Sequence, residues 1–225
     1  MAELQVFRRE DKYLLSAAQA AACQARISLL LRADPHNGTL GYLVRSLYFD
    51  TPAQRDYYAQ QNGEYARRKI RLRIYGENDT SVKLECKAKN GDYQHKTSLT
   101  LTREEATLLC RGDLSPLHAD DPVAARFRSL FLQGYRPSTL VQYRRIAYFL
   151  PFGNIRVTFD SRVESRETDL ELFATNTPWT PVLPTGQTVL EVKYAGTMPL
   201  PIRNALAPWT GLRNPYSKFG LSHIL

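Results

Sequence analysis

Lysine and arginine occupy every second position in several short segments of this chain, a spacing that can build an anion-binding surface. The clearest segment is residues 69–74, where Lys69, Arg71 and Arg73 alternate with apolar residues. Because side chains along a β-strand point alternately to its two faces, this pattern places the cations on one face. Guanidinium groups form paired hydrogen bonds to phosphate oxygens, so the spacing favours an anion with several charges as the ligand.

Three more segments show the same alternation, and a fourth shows a looser form of it. They are residues 82–89, 155–160, 190–193 and, less regularly, 143–147. The charged positions of the regular segments, continued to residue 162, are nine basic and three acidic residues: Lys69, Arg71, Arg73, Lys83, Lys87, Lys89, Arg156, Arg162 and Lys193, with Glu85, Asp160 and Glu191. Like charges on one sheet face repel each other unless anions lie among them. The three acids therefore either hold the empty site together or bind a metal.

The pattern is compatible with two surroundings for the cationic positions. In the first, they face solvent and the apolar positions form the core, as in many half-exposed antiparallel sheets. In the second, amphipathic helices cover the apolar face from outside, and the cations line a water-filled interior that is favourable when it encloses phosphates. Arg67 keeps the two-residue spacing, but we expect it to lie in solvent at the entrance of its strand. The pattern alone does not decide between the two surroundings.

The overall charge also indicates an anionic partner. The chain has 225 residues, a net charge of +8 and a pI near 9.5. The basic residues recur within strand-like segments and are not concentrated in a tail, which argues against a flexible nucleic-acid-binding arm. An apolar content of 43% is typical of a globular protein, and we expect a single domain over residues 1–225.

Several classes of protein are disfavoured by missing motifs. The cysteines are three and far apart (Cys23, Cys86 and Cys110), which predicts reduced thiols in a cytoplasmic protein. We find no secretory signal at the N-terminus and no apolar run of about 18 residues that could span a bilayer. The sequence also has no Walker-type glycine loop, no G-x-S-x-G nucleophile setting and no histidines at ligand spacing.

The order of predicted elements favours an α+β fold with a mostly antiparallel sheet. Ser16 and Gln19 form a capping box for a helix that we expect to reach Arg32, and Thr102 and Glu105 form another. Thr51 is expected to cap a short helix with a proline at its first position. Strand-like segments pair as hairpins, and about eight strands fit an eight-stranded closed β-barrel with helices packed outside.

The ordered motifs of the chain resemble the VTC domain, the polyphosphate polymerase domain of the vacuolar transporter chaperone complex and its bacterial relatives. Each motif is weak alone, but eight occur in order across nearly the whole chain. They are REDKYL at 9–14, RSLYFDT at 45–51, KIRLRIY at 69–75, LECK at 84–87, QYRRIAY at 142–148, RVTFD at 156–160, LEVKY at 190–194 and SKF at 217–219.

This resemblance implies a triphosphate tunnel: an eight-stranded antiparallel closed barrel with basic residues inside. It further implies an enzyme that transfers the γ-phosphoryl of ATP to polyphosphate with Mn²⁺ or Mg²⁺, here in a stand-alone bacterial-type form. By motif position, the phosphate-binding residues are Lys12, Arg71, Arg73, Lys87, Arg145, Arg156 and Lys218, with Tyr143 and Ser217 as polar contacts. Glu191 is the carboxylate implied to hold the metal, and the alternative role for it is an ion pair with a neighbouring cation.

The chain departs from the family pattern at one position, and two other functions remain open. Where eukaryotic members have a lysine three residues before Lys218, this chain has Pro215, which affects the expectation for the phosphate-exit end. A metal-dependent triphosphatase or polyphosphatase on the same fold is one alternative, and a non-catalytic polyanion-binding module is another. We expect ATP and polyphosphate as ligands and no nucleic acid. A membrane protein that receives the product is a further partner to consider, and the oligomeric state is open.

Overall fold

The computed structural model describes residues 8–76, 79–91, 93–151, 154–175, 177–213 and 217–221. Its strands are β1 Arg8–Leu15, β2 Arg32–Ala33, β3 Tyr42–Asp50, β4 Ala66–Ile74, β5 Ser81–Asn90, β6 Tyr93–Thr102, β7 Arg136–Leu150, β8 Ile155–Arg166, β9 Thr180–Pro181 and β10 Thr188–Ala195. Its α-helices are α1 Ala17–Ser28, α2 Arg55–Gln61, α3 Arg103–Cys110, α4 Pro122–Phe131, α5 Leu200–Leu206 and α6 Lys218–Leu221, and a 3-10 helix covers Ala207–Leu212.

The sheet has eight main strands in the order β1-β10-β8-β7-β3-β4-β5-β6, and the two-residue strands β2 and β9 pair with β7 and β8. Every register that the structure describes is antiparallel. The predicted α+β architecture with an antiparallel sheet is therefore confirmed. The closed barrel is not confirmed, because the strand order ends at β1 and at β6, and no hydrogen-bonded register joins these two strands in the described part of the chain.

The chain divides into two compact units. The first unit contains the residues up to Tyr42, Tyr143–Val163 and Leu183–Ser217, and the second contains Leu43–Gln142, Glu164–Val182 and the residues from Lys218 onward. The long strands β7 and β8 contribute residues to both units. A single domain over residues 1–225 stays a prediction.

In the second unit, one face of the sheet is covered by helices. Ile70 and Leu72 of β4 and Leu84 of β5 have no solvent exposure, and they belong to the same core cluster as Leu109 of α3 and Phe127 of α4. Burial of a side chain of this size contributes about 1.5–3 kcal/mol. The apolar face of these strands is therefore fixed against the helices, and the charged positions lie on the opposite face.

The first unit has its own core, in which helices again pack on the apolar side of the strands. Val157 of β8 and Val192 of β10 are fully buried, and they pack in one cluster with Ile27 of α1 and Trp209 of the 3-10 helix. Cys23 of α1 belongs to this cluster, and burial raises the pKa of its thiol to about 12. The thiol therefore behaves as a small apolar core group at neutral pH.

Both predicted capping boxes are confirmed. The hydroxyls of Ser16 and Thr102 accept hydrogen bonds from the backbone N–H groups of Gln19 and Glu105, whose side chains accept in return from the two cap residues. These contacts fix where α1 and α3 begin.

Two helix boundaries differ from the prediction. Helix α1 ends at Ser28 and does not reach Arg32, because Arg32–Ala33 pairs as a strand with β7. Helix α2 begins at Arg55 with Gln54 as its N-cap, so the prediction of Thr51 as the cap is wrong. Thr51 Oγ1 nevertheless accepts from the backbone N–H of Arg55 at 3.2 Å, and the Asp50 carboxylate accepts from those of Asp56 at 3.0 Å and Tyr57 at 2.9 Å.

The described helices include none with the length and apolar content needed to cross a bilayer.

Gly41 provides a test of how the first unit holds strand β7. Its φ is 77°, and a Cβ added there would lie 2.5 Å from the carbonyl oxygen of Arg145. We expect Gly41→Ala to lower the free energy of unfolding by about 2–4 kcal/mol in denaturant titrations, because positive φ and a backbone clash add. The control is Gly112→Ala, which has a φ of 86° but open space around its Cβ and is expected to cost about 1–2 kcal/mol. Equal losses would show that the close approach to Arg145 is unimportant.

Candidate functional site

The second unit carries a strongly basic sheet surface on the side opposite its helix-covered core. We call it the cationic face; it consists of Arg67, Lys69, Arg71, Arg73, Lys83, Glu85, Lys87, Lys89 and Lys96. Its rows are set by strand register: Arg71 pairs with Glu85, and Lys69 pairs with Lys87, which in turn pairs with Lys96. Glu85 is the single acid among these nine positions. The surface therefore has the charge needed to bind a polyanion.

Glu85 organises the centre of the cationic face. Its Oε2 accepts from Arg71 Nε at 2.8 Å and lies 3.7 Å from Arg73 Nη1, while its Oε1 pairs with the Lys96 ammonium. Burial alone would raise the pKa of Glu85, but the charges of Arg71 and Arg73 and the hydrogen bond from Lys96 lower that pKa to about 2. One carboxylate, ionised at neutral pH, thus contacts three cations.

Two polar residues of β3 complete this cluster, and neither was assigned a role from the sequence. Tyr48 OH accepts from Arg71 Nη1 at 3.3 Å, and Ser46 Oγ accepts from Arg73 Nε at 3.2 Å. Burial would raise the pKa of Tyr48, but Arg71 and Arg73 lower it to about 8. The signal was present in the sequence, because both residues alternate with buried apolar positions of β3, as the lysines and arginines of β4 do.

The C-terminal helix α6 begins at Lys218 and contacts the cationic face through the next residue, Phe219. Phe219 is buried against the Tyr48 ring, with the ring centroids 4.8 Å apart, and the Lys69 ammonium lies 5.9 Å above the Phe219 ring. The structure therefore gathers Arg71, Arg73 and the α6 segment in the second unit, with Lys87 exposed on the same face. Pro215, the departure from the family pattern, lies outside the described residues.

In the first unit, Lys12 and Glu191 lie opposite each other on β1 and β10. Lys12 Nζ is 2.8 Å from Glu10, and Lys193 Nζ is 2.5 Å from Glu191 and 3.6 Å from Glu10. Burial and Glu191 both raise the pKa of Glu10, but Lys12 and Lys193 lower it overall. Two carboxylates thus share two ammonium groups in this network.

The remaining predicted cations of the first unit have different settings. Arg145 is buried and donates from Nε and Nη2 to the two carboxylate oxygens of Asp160, at 2.7 and 2.8 Å. Its guanidinium carbon lies 5.1 Å from the Tyr143 ring centroid, which brings these two predicted site residues together. Arg156 is exposed and donates to Asp34 at 3.3 Å and to Tyr42 at 3.1 Å.

The two units differ in charge on their polar faces. Among the described side chains at alternating positions of its strands, the first unit mixes five basic residues with three acids: Lys12, Arg145, Arg156, Arg162 and Lys193, with Glu10, Asp160 and Glu191. The second unit has eight basic residues and one acid on its cationic face. The cationic excess that the sequence pattern predicted for all of these strands is therefore concentrated in the second unit.

The metal role predicted for Glu191 fits an ion that takes few protein ligands. Among the described residues, no group of three acidic, histidine or cysteine side chains could hold a metal ion. Mg²⁺ and Mn²⁺ can bind through a single carboxylate when phosphate oxygens and water supply the other ligands. Glu191 is buried and its Oε1 pairs with the Lys193 ammonium, so a metal there would compete with that contact.

Arg45 shows that not every cation of the matched motifs is available to a ligand. It lies on the core side of β3, where it is buried and donates to Gln142 and to the carbonyl oxygens of Leu172 and Ala174. Its guanidinium also lies over the ring of Trp179. Arg45 is therefore a structural residue that ties a loop to the sheet.

A comparison with protein families finds a match over most of the chain. The model of the VTC domain matches residues 7–223. A search of curated proteins finds no match to the chain.

The fold is similar to that of solved structures from bacteria and an archaeon. A candidate adenylate cyclase from Bacillus halodurans is 16% identical with a TM-score of 0.54, over 94% of this chain and 93% of that one. A candidate adenylate cyclase from Vibrio parahaemolyticus is 14% identical with a TM-score of 0.51, over 96% and 97% of the two chains. A protein from Pyrococcus horikoshii is 13% identical with a TM-score of 0.52, over 96% and 99%. At these identities the likeness shows the fold alone.

The buried pair of Arg145 and Asp160 predicts a large loss of stability when one partner is neutralised. Asp160→Asn leaves a buried guanidinium without its counter-ion, and we expect the free energy of unfolding to fall by about 3–5 kcal/mol. Asp34→Asn, which removes a carboxylate beside the exposed Arg156, should cost at most about 1 kcal/mol. Denaturant titration of both variants tests this, and similar losses in the two would contradict the structural role of Asp160.

The lowered pKa of Glu85 predicts how the free energy of unfolding depends on pH. Because its pKa is lowered to about 2 in the folded protein, its stabilising effect is present above the unfolded pKa and is lost as pH falls through the folded pKa. Between about pH 6 and pH 2, the free energy of unfolding of the wild type should therefore fall by about 1–3 kcal/mol more than that of Glu85→Gln. Parallel pH profiles of unfolding for the two proteins would contradict the ion cluster.

Proposed function

The chain belongs to the VTC domain family, and on that premise we propose that it is an ATP-dependent polyphosphate polymerase. The observation that carries the proposal is the cationic face, where Arg71 and Arg73 lie side by side around one carboxylate. These two guanidinium groups can bind neighbouring oxygens of a triphosphate. The coarser conclusion that a phosphate-rich anion is the ligand rests on the same residues.

The proposed reaction transfers the γ-phosphoryl of ATP to the end of a polyphosphate chain. The bond between the γ-phosphorus and its bridging oxygen breaks, and a bond forms between that phosphorus and a terminal oxygen of the polymer, with ADP as the leaving group. The attacking oxygen is already ionised, so no general base is needed. Catalysis then depends on alignment of the two anions and on neutralisation of their charge, which cations provide.

The residues of the second unit bind the triphosphate in this proposal. Arg71 and Arg73 fork onto phosphate oxygens, and Lys87 and Lys218 act as point charges. Glu85 keeps both guanidinium groups oriented before substrate arrives, through the contact of 2.8 Å to Arg71 and the weaker one to Arg73. Orientation in advance lowers the cost of ordering these side chains on binding.

The residues of the first unit bind phosphate and metal in this proposal. Glu191 would hold Mn²⁺ or Mg²⁺, which neutralises charge on phosphate oxygens when bound. Lys12 and Arg156 supply further cations, and Tyr143 and Ser217 supply polar contacts. Arg145 is anchored by Asp160 through two hydrogen bonds, so its remaining N–H groups are held in a fixed direction.

Synthesis of polymer by the purified protein tests the proposal. With ATP and Mn²⁺, we expect a ladder of polyphosphate on a gel that resolves chain length. Arg71→Ala and Glu191→Ala should each reduce its rate by about a hundredfold or more, as loss of a charge clamp does. Arg71→Lys keeps the charge but loses the fork, so an intermediate rate is expected. Arg111→Ala, at an exposed position after α3, is the control and should keep full activity.

The same assay separates the alternatives. Release of orthophosphate from tripolyphosphate without chain growth would indicate a hydrolase on this fold. Salt-sensitive binding of polyphosphate without turnover of ATP would indicate a binding module. A full ladder from Glu191→Ala or Arg71→Ala would contradict the proposed site while leaving the activity intact.

A further inference from the structure

Tyr48 of β3 is in direct contact with Arg71, although the family motifs give it no role. The register of the sheet places the two residues opposite each other on β3 and β4. The Tyr48 hydroxyl accepts from Arg71 Nη1 at 3.3 Å, and the Arg71 guanidinium carbon lies 5.9 Å from the centroid of the Tyr48 ring. Glu85 binds the same guanidinium from β5. One arginine of the proposed triphosphate site is therefore flanked by a carboxylate and a phenol.

The Tyr48 ring has little freedom to move away from Arg71. Only 6% of Tyr48 is exposed, and its ring lies against that of Phe219 in α6, with centroids 4.8 Å apart and planes inclined by 35°. The Phe219 ring is buried in turn and meets the Tyr57 ring of α2 at 6.2 Å, edge to face. Aromatic packing of this kind fixes the orientation of a ring. The hydroxyl is therefore held beside the guanidinium.

The effect of this hydroxyl on Arg71 depends on its proton. A neutral hydroxyl accepts one N–H group and takes up none of the positive charge, so that charge remains for an anion. A phenolate at the same place is itself an anion in hydrogen-bond contact with the guanidinium. The two protonation states of Tyr48 therefore differ in how much of the Arg71 charge a phosphate can use.

The cations around Tyr48 bring its ionisation close to neutral pH. Burial would raise the pKa of this tyrosine, but Arg71, Arg73 and Lys69 of β4 lower it to about 8. Glu85 is the carboxylate that faces the cluster from β5, and it is shared between the two arginines. The cluster can therefore stabilise one further anion beside Arg71, which is either the phenolate or a ligand.

Two helices complete the surroundings of this hydroxyl. Helix α6 contributes the Phe219 ring, with Lys218 as the residue before it, and α2 contributes Tyr57 behind that ring. The Asp56 carboxylate of α2 is turned instead to the Tyr135 hydroxyl, from which it accepts at 2.9 Å. The charge that acts on the hydroxyl therefore comes mainly from β4.

We propose that Tyr48 is a positioning residue for Arg71: its neutral hydroxyl orients the guanidinium for a phosphate oxygen, and its ionised form replaces that oxygen as the partner of Arg71. This rests on the proposed function, in which a phosphate group is the ligand of Arg71. A bound phosphate disfavours the phenolate, so it raises the pKa of Tyr48. Affinity for phosphate must then fall as pH rises through the pKa of Tyr48 in the protein without ligand.

The first test measures affinity for tripolyphosphate as a function of pH, by calorimetry and without ATP or metal. The variant is Tyr48→Phe, which keeps the ring that packs on Phe219 and removes the group that titrates. The control is Tyr58→Phe, which makes the same change at an exposed tyrosine of α2. Titration of tripolyphosphate itself is the same in all three experiments and cancels when affinities are divided.

We expect the affinity of the wild type, divided by that of Tyr48→Phe, to fall about tenfold between about pH 7 and pH 9. The reason is that with a pKa of about 8 only about one tenth of Tyr48 keeps its proton at the upper limit. At about pH 7 the variant should bind about two- to tenfold more weakly than the wild type, because Arg71 has lost an orienting hydrogen bond. Tyr58→Phe should reproduce the wild-type profile.

A second measurement needs only the wild type, and it remains available if Tyr48→Phe does not fold. At about pH 8.5, saturation with tripolyphosphate should lower the ultraviolet absorbance of tyrosinate, because ionised Tyr48 takes up a proton. Tyr75 is the matched control: burial would raise its pKa, but Arg73 lowers it. The decrease in absorbance should persist in Tyr75→Phe and vanish in Tyr48→Phe.

Three results would overturn the inference. The pH profiles of the wild type and Tyr48→Phe could be parallel, or the ligand could leave the tyrosinate absorbance unchanged. The decrease could also remain in Tyr48→Phe and vanish in Tyr75→Phe, which would assign the titration to Tyr75. None of these results removes the polymer ladder of the wild type, whereas a failure of the proposed function removes that ladder whatever the pH dependence of binding.

Discussion

The burial of one face of strands β4 and β5 is the constraint from which the rest of the candidate site follows. Ile70, Leu72 and Leu84 have no exposure to solvent, and helices cover them. A shift of register by one residue would move Arg71 into that core, and burial of an unpaired charge costs several kcal/mol. The strands are therefore held in the one register that collects their cations on the other face.

The carboxylates on the polar faces then decide how available each cation is. Glu85 is divided among Arg71, Arg73 and Lys96, so none of them is fully neutralised by it. Asp160 instead forms a two-point pair with Arg145 alone. The first arrangement leaves charge for a ligand, whereas the second fixes a guanidinium in place. The second unit is therefore the one whose net charge favours a polyanion in the proposed function.

Much of this could be predicted from the sequence because it depends on local alternation. The strands with alternating cations, the antiparallel hairpins and the capping boxes at Ser16 and Thr102 follow from the spacing of a few neighbouring residues. The burial predicted as far as Arg162 is kept, since Arg162 is exposed and Val163 is buried, but Arg162 adopts a φ of 49° that the alternation does not predict. A positive φ at an arginine has no signature in the sequence.

The remaining features depend on contacts between distant residues. The Asp50 carboxylate caps α2 by accepting from the backbone N–H groups of residues six and seven positions later. Sequence rules for N-caps consider the residue directly before the helix, so they do not predict where α2 begins. The row formed by Lys69, Lys87 and Lys96 appears only when β4, β5 and β6 are aligned by register. The pattern could not show that the acids lie mostly in the first unit and the excess cations in the second, since that depends on which strands share a face.

The most direct test of the central claim is to observe the arginine side chains while a phosphate ligand binds. Nuclear magnetic resonance of the Nε–H groups in this chain can follow Arg71, Arg73 and Arg45 during titration with tripolyphosphate. Arg71 and Arg73 should shift with saturation, while Arg45, on the core side of the same sheet, should not. Shifts confined to Arg45, or saturable binding that leaves Arg71 and Arg73 unchanged, would contradict the assignment of the cationic face.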